Sequence, residues 1–179
     1  MKCILILLFP MAVSAQSFEL TQNGFASKED LSKDYIVFEY PGASQVELFN
    51  KVIQYTHKTF RSPKDVISKT EYGIITINGE QPRSVRRNKM HVFDLNYTVP
   101  LEFKDGKIKV NAPGFKLSAY TSRPQELFLV ANNSLDGSRL GIYNSKMELK
   151  SKLAKEDLEL FINTLIFSLK ESLAKTDDW

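Results

Sequence analysis

From His91 to Phe103 the odd positions read His, Phe, Leu, Tyr, Val, Leu, Phe, and the even ones Val, Asp, Asn, Thr, Pro, Glu. An apolar–polar alternation of period two predicts a strand with one buried face. Asp105-Gly106 then supplies a two-residue hairpin turn. Pairing across it sets Phe103 against Ile108, Leu101 against Val110 and Val99 against Ala112. The apolar residues fall on one face, and Glu102 opposes Lys109 on the other. Past Pro113-Gly114 the apolar parity moves to Phe115, Leu117 and Ala119, which predicts a bulge.

The rest of the chain divides by the same signals. Tyr35 to Tyr40 is rich in β-branched and aromatic residues and stops at Pro41-Gly42, as a strand does. Ser44, three residues before Glu47, forms a capping-box pattern. A helix follows with apolar residues at Val46, Phe49, Val52 and Ile53, then Thr56, ending near Phe60. After Ser62-Pro63, two short strands over Val66–Thr70 and Tyr72–Ile77 are expected, turned at Asn78-Gly79. Leu158, Phe161, Ile162, Leu165, Ile166, Leu169 and Leu173 form a helical stripe near the C-terminus. Glu156, Asp157 and Glu159 at its start and Lys170 and Lys175 near its end suit the helix dipole. Residues 122–150 give mixed signals: Gln125–Ala131 suits a helix turn or a strand, and Asn132-Asn133-Ser134 and Asp136-Gly137-Ser138 read as loop. Residues 16–33 are polar and weakly patterned, a lead-in strand or flexible arm. The order is β-α-β4-α over a single domain at 34–175. It is an α+β arrangement whose two amphipathic helices cover one face of an antiparallel sheet.

The N-terminus changes the picture of where this domain works. Lys2, an apolar run from Ile4 to Val13, and Val13-Ser14-Ala15 have the build of a secretory signal peptide cut before Gln16. Cleavage there leaves 164 of the 179 residues and removes Cys3, the only cysteine. The expected mature protein is periplasmic or secreted, has no disulfide or thiol chemistry, and keeps no membrane anchor. Its 23 basic and 21 acidic side chains nearly cancel, so charge gives no case for nucleic acid.

A family resemblance is carried by several stretches: Lys33-Asp34-Tyr35-Ile36-Val37, Ser62-Pro63-Lys64-Asp65-Val66-Ile67-Ser68, and Arg86-Arg87-Asn88-Lys89-Met90-His91-Val92-Phe93-Asp94. Asn96-Tyr97-Thr98 and Phe103-Lys104-Asp105-Gly106-Lys107-Ile108 continue it. Over roughly residues 33–121 the chain resembles a domain of unknown function, number 4468 of that series, common in exported proteins of Bacteroidetes. The resemblance implies a TBP-like fold, a curved antiparallel sheet with helices packed on it. It implies no activity and no site residues. A fold name does not carry DNA binding with it.

Arg83, Arg86, Arg87 and Lys89 form a basic cluster just before the long strand, a candidate ligand-binding site. Arginines hold phosphate, sulfate esters or carboxylates bidentately; the same cluster also suits a solvated loop that discourages edge pairing. The two histidines, His57 and His91, lack the partners a metal site needs. Asp94, of opposite parity to His91, is expected on the other face. Gly137-Ser138-Arg139-Leu140-Gly141 has the wrong spacing for a nucleophile elbow and reads as a turn. Adjacent Glu156 and Asp157 do not face each other on a helix, which makes them poor acid–base partners. Asn96-Tyr97-Thr98 and Asn132-Asn133-Ser134 spell the glycosylation triplet, which carries little weight in a bacterial chain. No catalytic residue, metal or cofactor is indicated. The expectation is an exported, non-catalytic binding or interaction module, its partner an envelope protein or small ligand. The alternative is a carrier of a small apolar ligand between sheet and C-terminal helix, as in helix-grip folds. A carrier would leave a cavity of about 300 Å³ or more beside Tyr97, Leu101, Phe161 and Leu165. An enzyme, with converging polar groups in that pocket, is the third class.

Overall fold

The computed structural model describes residues 16–70, 72–120 and 123–174. The expected signal peptide, its cleavage site and the acidic tail lie outside these residues. The elements are β1 (Phe18–Thr21), β2 (Gly24–Ser27), β3 (Tyr35–Glu39), α1 (Gln45–Thr59), α2 (Pro63–Val66), β4 (Ile67–Thr70) and β5 (Ile74–Arg86), followed by β6 (Val92–Lys104), β7 (Lys107–Asn111), β8 (Gly114–Tyr120), β9 (Pro124–Val130), β10 (Arg139–Tyr143) and α3 (Lys152–Ala174).

Strand β6 is the axis of the main sheet. Phe93, Leu95, Tyr97, Val99, Leu101 and Phe103 are all buried, as the alternation requires. One edge of β6 pairs with β5, the other with β7 and then β8. Phe103 opposes Ile108, Leu101 opposes Val110 and Glu102 opposes Lys109. The left-handed angle of the turn falls on Gly106, at φ +71°. Three steps along β6, from Leu101 to Thr98, answer four along its neighbour, from Val110 to Gly114. That extra residue is the bulge announced by the parity shift. The order β10-β9-β8-β6-β5-β4, with β3 on the far edge of β7, completes the sheet; only β10 and β9 run parallel.

Helix α1 starts where the capping box puts it, with Ser44 Oγ accepting the Glu47 N–H at 3.2 Å. Asp105 of the hairpin turn also accepts the Gln45 N–H at 2.8 Å, tying the helix start to the sheet. Its buried side is Leu48, Phe49, Val52, Tyr55 and Thr56. Val46 is 45% exposed, so the stripe is turned from the expected one toward Leu48 and Tyr55.

Three expectations are corrected. Asn78-Gly79 is not a turn, because β5 continues through it to Arg86 and Gly79 opposes Tyr97. A Cβ at Gly79 would overlap the Tyr97 ring, so glycine is there for a close cross-strand approach. Residues 63–66 form a helical turn, and β4 begins only at Ile67. Of the two readings of residues 16–33 the strand holds and the flexible arm does not: β1 and β2 make a hairpin whose Phe18, Leu20 and Phe25 belong to the hydrophobic core.

That hairpin is held by a polar ladder on α3. Asn163 accepts the Phe18 N–H at 2.8 Å and donates to the Phe18 carbonyl at 2.9 Å. Glu159 accepts the Leu20 N–H at 2.7 Å, and Lys155 donates to the Leu20 carbonyl at 2.8 Å. Residues four apart on a helix rise about 6 Å, close to the roughly 6.7 Å repeat of a strand. Side chains at 155, 159 and 163 therefore act as the missing neighbour strand. Phe25 packs edge-on against Phe115 of β8, with 5.8 Å between ring centroids. Helices α1 and α3 and this hairpin thus cover one face of an α+β, mostly antiparallel architecture. Among the described residues seven strands follow α1 rather than four. The ambiguous 122–150 supplies β9 and β10, and the break between β7 and β8 supplies the third.

Candidate functional site

Between Gln81 and Val85 strand β5 leaves register with β6. Gln81 opposes Leu95 and Val85 opposes Phe93, so four steps on β5 answer two on β6. Pro82, which has no N–H to give the ladder, lies inside this bulge. Arg83 follows at φ +50°, a left-handed backbone at a non-glycine residue. Its N–H donates to Asp94 Oδ1 at 2.7 Å, which holds the bulge against β6. Strain of this kind costs about 1 kcal/mol or more and persists where surrounding contacts impose it.

The bulge presents Arg83 to a recess of about 260 Å³ at the end of the sheet. There the β5–β6 loop meets the end of β8 and the start of β9. The polar lining is Arg83, His91, Asp94, Tyr120 and Gln125. Among the described residues the Arg83 guanidinium has no hydrogen-bond or ion-pair partner. Gln125 Oε1 is buried without a partner. Met90, 84% exposed, and Tyr120, 81% exposed, stand at the rim. His91 Nδ1 lies 3.2 Å from Asn88 Oδ1, which leaves Nε2 available.

The basic cluster does not act as one unit. Arg86 turns to α3 and grips Asp157 with Nε and Nη2 at 2.8 and 2.6 Å, while its backbone N–H donates to the same carboxylate at 2.8 Å. Burial pushes the Asp157 carboxyl up. The bonds from Arg86 outweigh that and leave it below the ordinary carboxylate range. Asp157 is thus a buried anchor for the β5 end. The expected dipole pairing is corrected: α3 begins at Lys152, with no acidic residue in its first turn and no basic one in its last described turn. Arg87 pairs through its backbone with His91, and its carbonyl accepts the Ser151 hydroxyl at 2.9 Å. Lys89 lies exposed in the β5–β6 loop. Only Arg83 of the four lines the recess. The expectation that His91 and Asp94 point apart is also corrected. His91 lies just before β6, where strand parity no longer applies, and both line the recess. Tyr120, Met90 and Gln125 were not singled out by sequence. Tyr120 carried one trace of a signal, an aromatic residue on the outward parity of β8.

A second concavity, of about 360 Å³, lies over Tyr35, Val37 and the lysines of β6 and β7. Two of its cations are already engaged: Lys109 with Glu102 at 3.4 Å and Lys107 with Glu39 at 3.8 Å. Between sheet and α3, Leu101 is fully buried and Tyr97 meets Phe161 edge-on at 5.1 Å, so side chains fill that layer. The room near Phe161 and Leu165 is a solvent-open groove of about 440 Å³ between α1 and α3, walled by Tyr55, Thr59 and Leu160. The loop at 134–138 is a turn, with the Asp136 carboxylate accepting from the hydroxyls of Ser134 and Ser138. Among the described residues, no three His, Cys, Asp or Glu side chains gather to hold a metal ion. No helix among them is long and apolar enough to cross a membrane.

A mostly antiparallel sheet of this order, covered by helices, has the TBP-like fold. Residues 35–118 match the model of a family described as a domain of unknown function (DUF4468) with TBP-like fold. A TBP-like protein from Parabacteroides distasonis superposes with a TM-score of 0.59 at 12% identity, covering 80% of this chain and 92% of that one. A DUF4468 family protein from Bacteroides ovatus gives 0.54 at 14% identity, over 81% and 87%. At these identities the likeness is one of fold. No curated protein matches the chain.

Proposed function

We propose that this is an exported, non-catalytic binding module whose ligand surface is the recess at Arg83. One observation carries the reading: a strained backbone holds an unpaired guanidinium over a concavity rimmed by two almost fully exposed large side chains. Strained positions cluster where a side chain must be aimed, and large exposed apolar side chains beside convergent polar groups suit recognition. Export rests on Lys2, the apolar run to Val13 and the Ser14-Ala15 site. It places the partner in the periplasm or outside the cell.

The groove beside Phe161 and Leu165 supports a second reading, a carrier of an apolar ligand, since Leu160 at its wall is 70% exposed. Native mass spectrometry of protein taken gently from its own envelope separates the two. A bound species present on the parent and missing from Arg83→Asn supports the recess. An adduct of a few hundred daltons kept by Arg83→Asn and lost by Leu165→Glu selects the carrier.

A further inference from the structure

We propose that the Arg83 recess takes one neutral pyranose ring of a glycan; this rests on the recess being the ligand surface. The volume, about 260 Å³, falls below the roughly 300–1,000 Å³ typical of pockets for drug-sized ligands. It suits one ring, not an extended chain. Its polar groups are planar and two-pronged: a guanidinium, a carboxylate, a carboxamide and an imidazole. Such groups bridge the neighbouring hydroxyls of a sugar, each of which both donates and accepts.

Two details sharpen the choice. Arg83 and Asp94 carry opposite charges in one lining, so the recess offers no net charge to an anion. Asp94 spends Oδ1 on the Arg83 backbone and keeps Oδ2 for a ligand hydroxyl. Tyr120, 81% exposed, presents a ring face on which the C–H face of a pyranose stacks, while Met90 closes the rim with an adaptable apolar arm.

The test is a nitrogen-15 NMR titration of the folded protein with neutral oligosaccharides of glucose, mannose, galactose and N-acetylglucosamine, beside glucuronate and inorganic sulfate. A neutral sugar should shift the amides of Arg83, His91, Asp94, Tyr120 and Gln125, with an affinity that hardly changes with salt. Tyr120→Ala and Asp94→Asn should each weaken it at least tenfold while leaving the other amide shifts of the free protein in place. Binding of sulfate or glucuronate alone, falling with salt, would overturn the sugar and leave an anion site. No binding by any probe, with an Arg83-dependent complex still seen by native mass spectrometry, would remove the sugar and keep the ligand surface. Absence of both would remove the reading beneath it as well.

Discussion

Arg83 and Arg86 stand three residues apart and look alike in sequence, yet they have opposite duties. Arg86 is bound to Asp157, whose carboxyl is buried; its loss leaves that charge uncompensated, the costly way to break an ion pair. Arg83 touches no partner among the described residues and sits in a conformation that asparagine adopts more readily than arginine. Arg86→Ala should therefore lower the melting temperature at neutral pH, whereas Arg83→Asn should leave it unchanged or raise it. Thermal melts of the two variants check this. The pH dependence follows from Asp157. Its pKa is lower in the folded protein than in the unfolded chain, so its contribution is present above the unfolded value near 3.8 and fades as pH falls through the folded one. The gap between parent and Arg86→Ala should narrow below about pH 4. Glycine gives a second contrast. Gly79→Ala pushes a Cβ into the Tyr97 ring and should cost about 2 kcal/mol by overpacking. Gly106→Val meets only a left-handed φ and should cost roughly 1 kcal/mol or more. Chemical denaturation of both variants measures the two costs; a harmless Gly79→Ala would refute the close approach of that ring.

At the scale of elements, legibility in the sequence followed whether local and tertiary signals agreed. The β6–β7 hairpin was legible because turn chemistry, alternation and charge pairing all name one register. The bulge before β8 was legible from the parity of Phe115 and Leu117 alone. Asn78-Gly79 misled because a pair suited to a turn serves here as a flat place beneath an aromatic ring, and only the partner strand reveals that. The β1–β2 hairpin was hidden because it contributes three large core residues, and its outer edge is completed by helix side chains. Nothing local says that a strand lies along Lys155, Glu159 and Asn163; of the three only Glu159 was marked in the sequence, as a partner of the helix dipole. Asn163→Ala should free both Phe18 backbone groups and destabilise the protein by about 1–3 kcal/mol, with early hydrogen exchange at Phe18 and Leu20. Unchanged exchange there would show that α3 does not hold the strand.

On the scale of the molecule, the TBP-like fold provides a filled layer between sheet and helices and leaves function to its ends and surfaces. The sequence offered the arginine cluster as a candidate, of which the recess uses one member. The others that line it, His91, Asp94, Tyr120 and Gln125, come from a loop and three strands, and no spacing rule joins them. What aims Arg83 is a two-residue slip in strand register, which is a property of the pair β5–β6 and not of either strand. A ligand surface at Arg83 should be occupied in the protein's own surroundings. Oxidative footprinting tests it directly, with Met90 (84% exposed) as reporter and Met147 (49% exposed), on a different loop, as reference. Met90 and Tyr120 should be protected in the protein's own surroundings and become reactive in purified protein, while Met147 reacts alike in both. Equal oxidation of Met90 in both settings, with Met147 unchanged, would contradict the account.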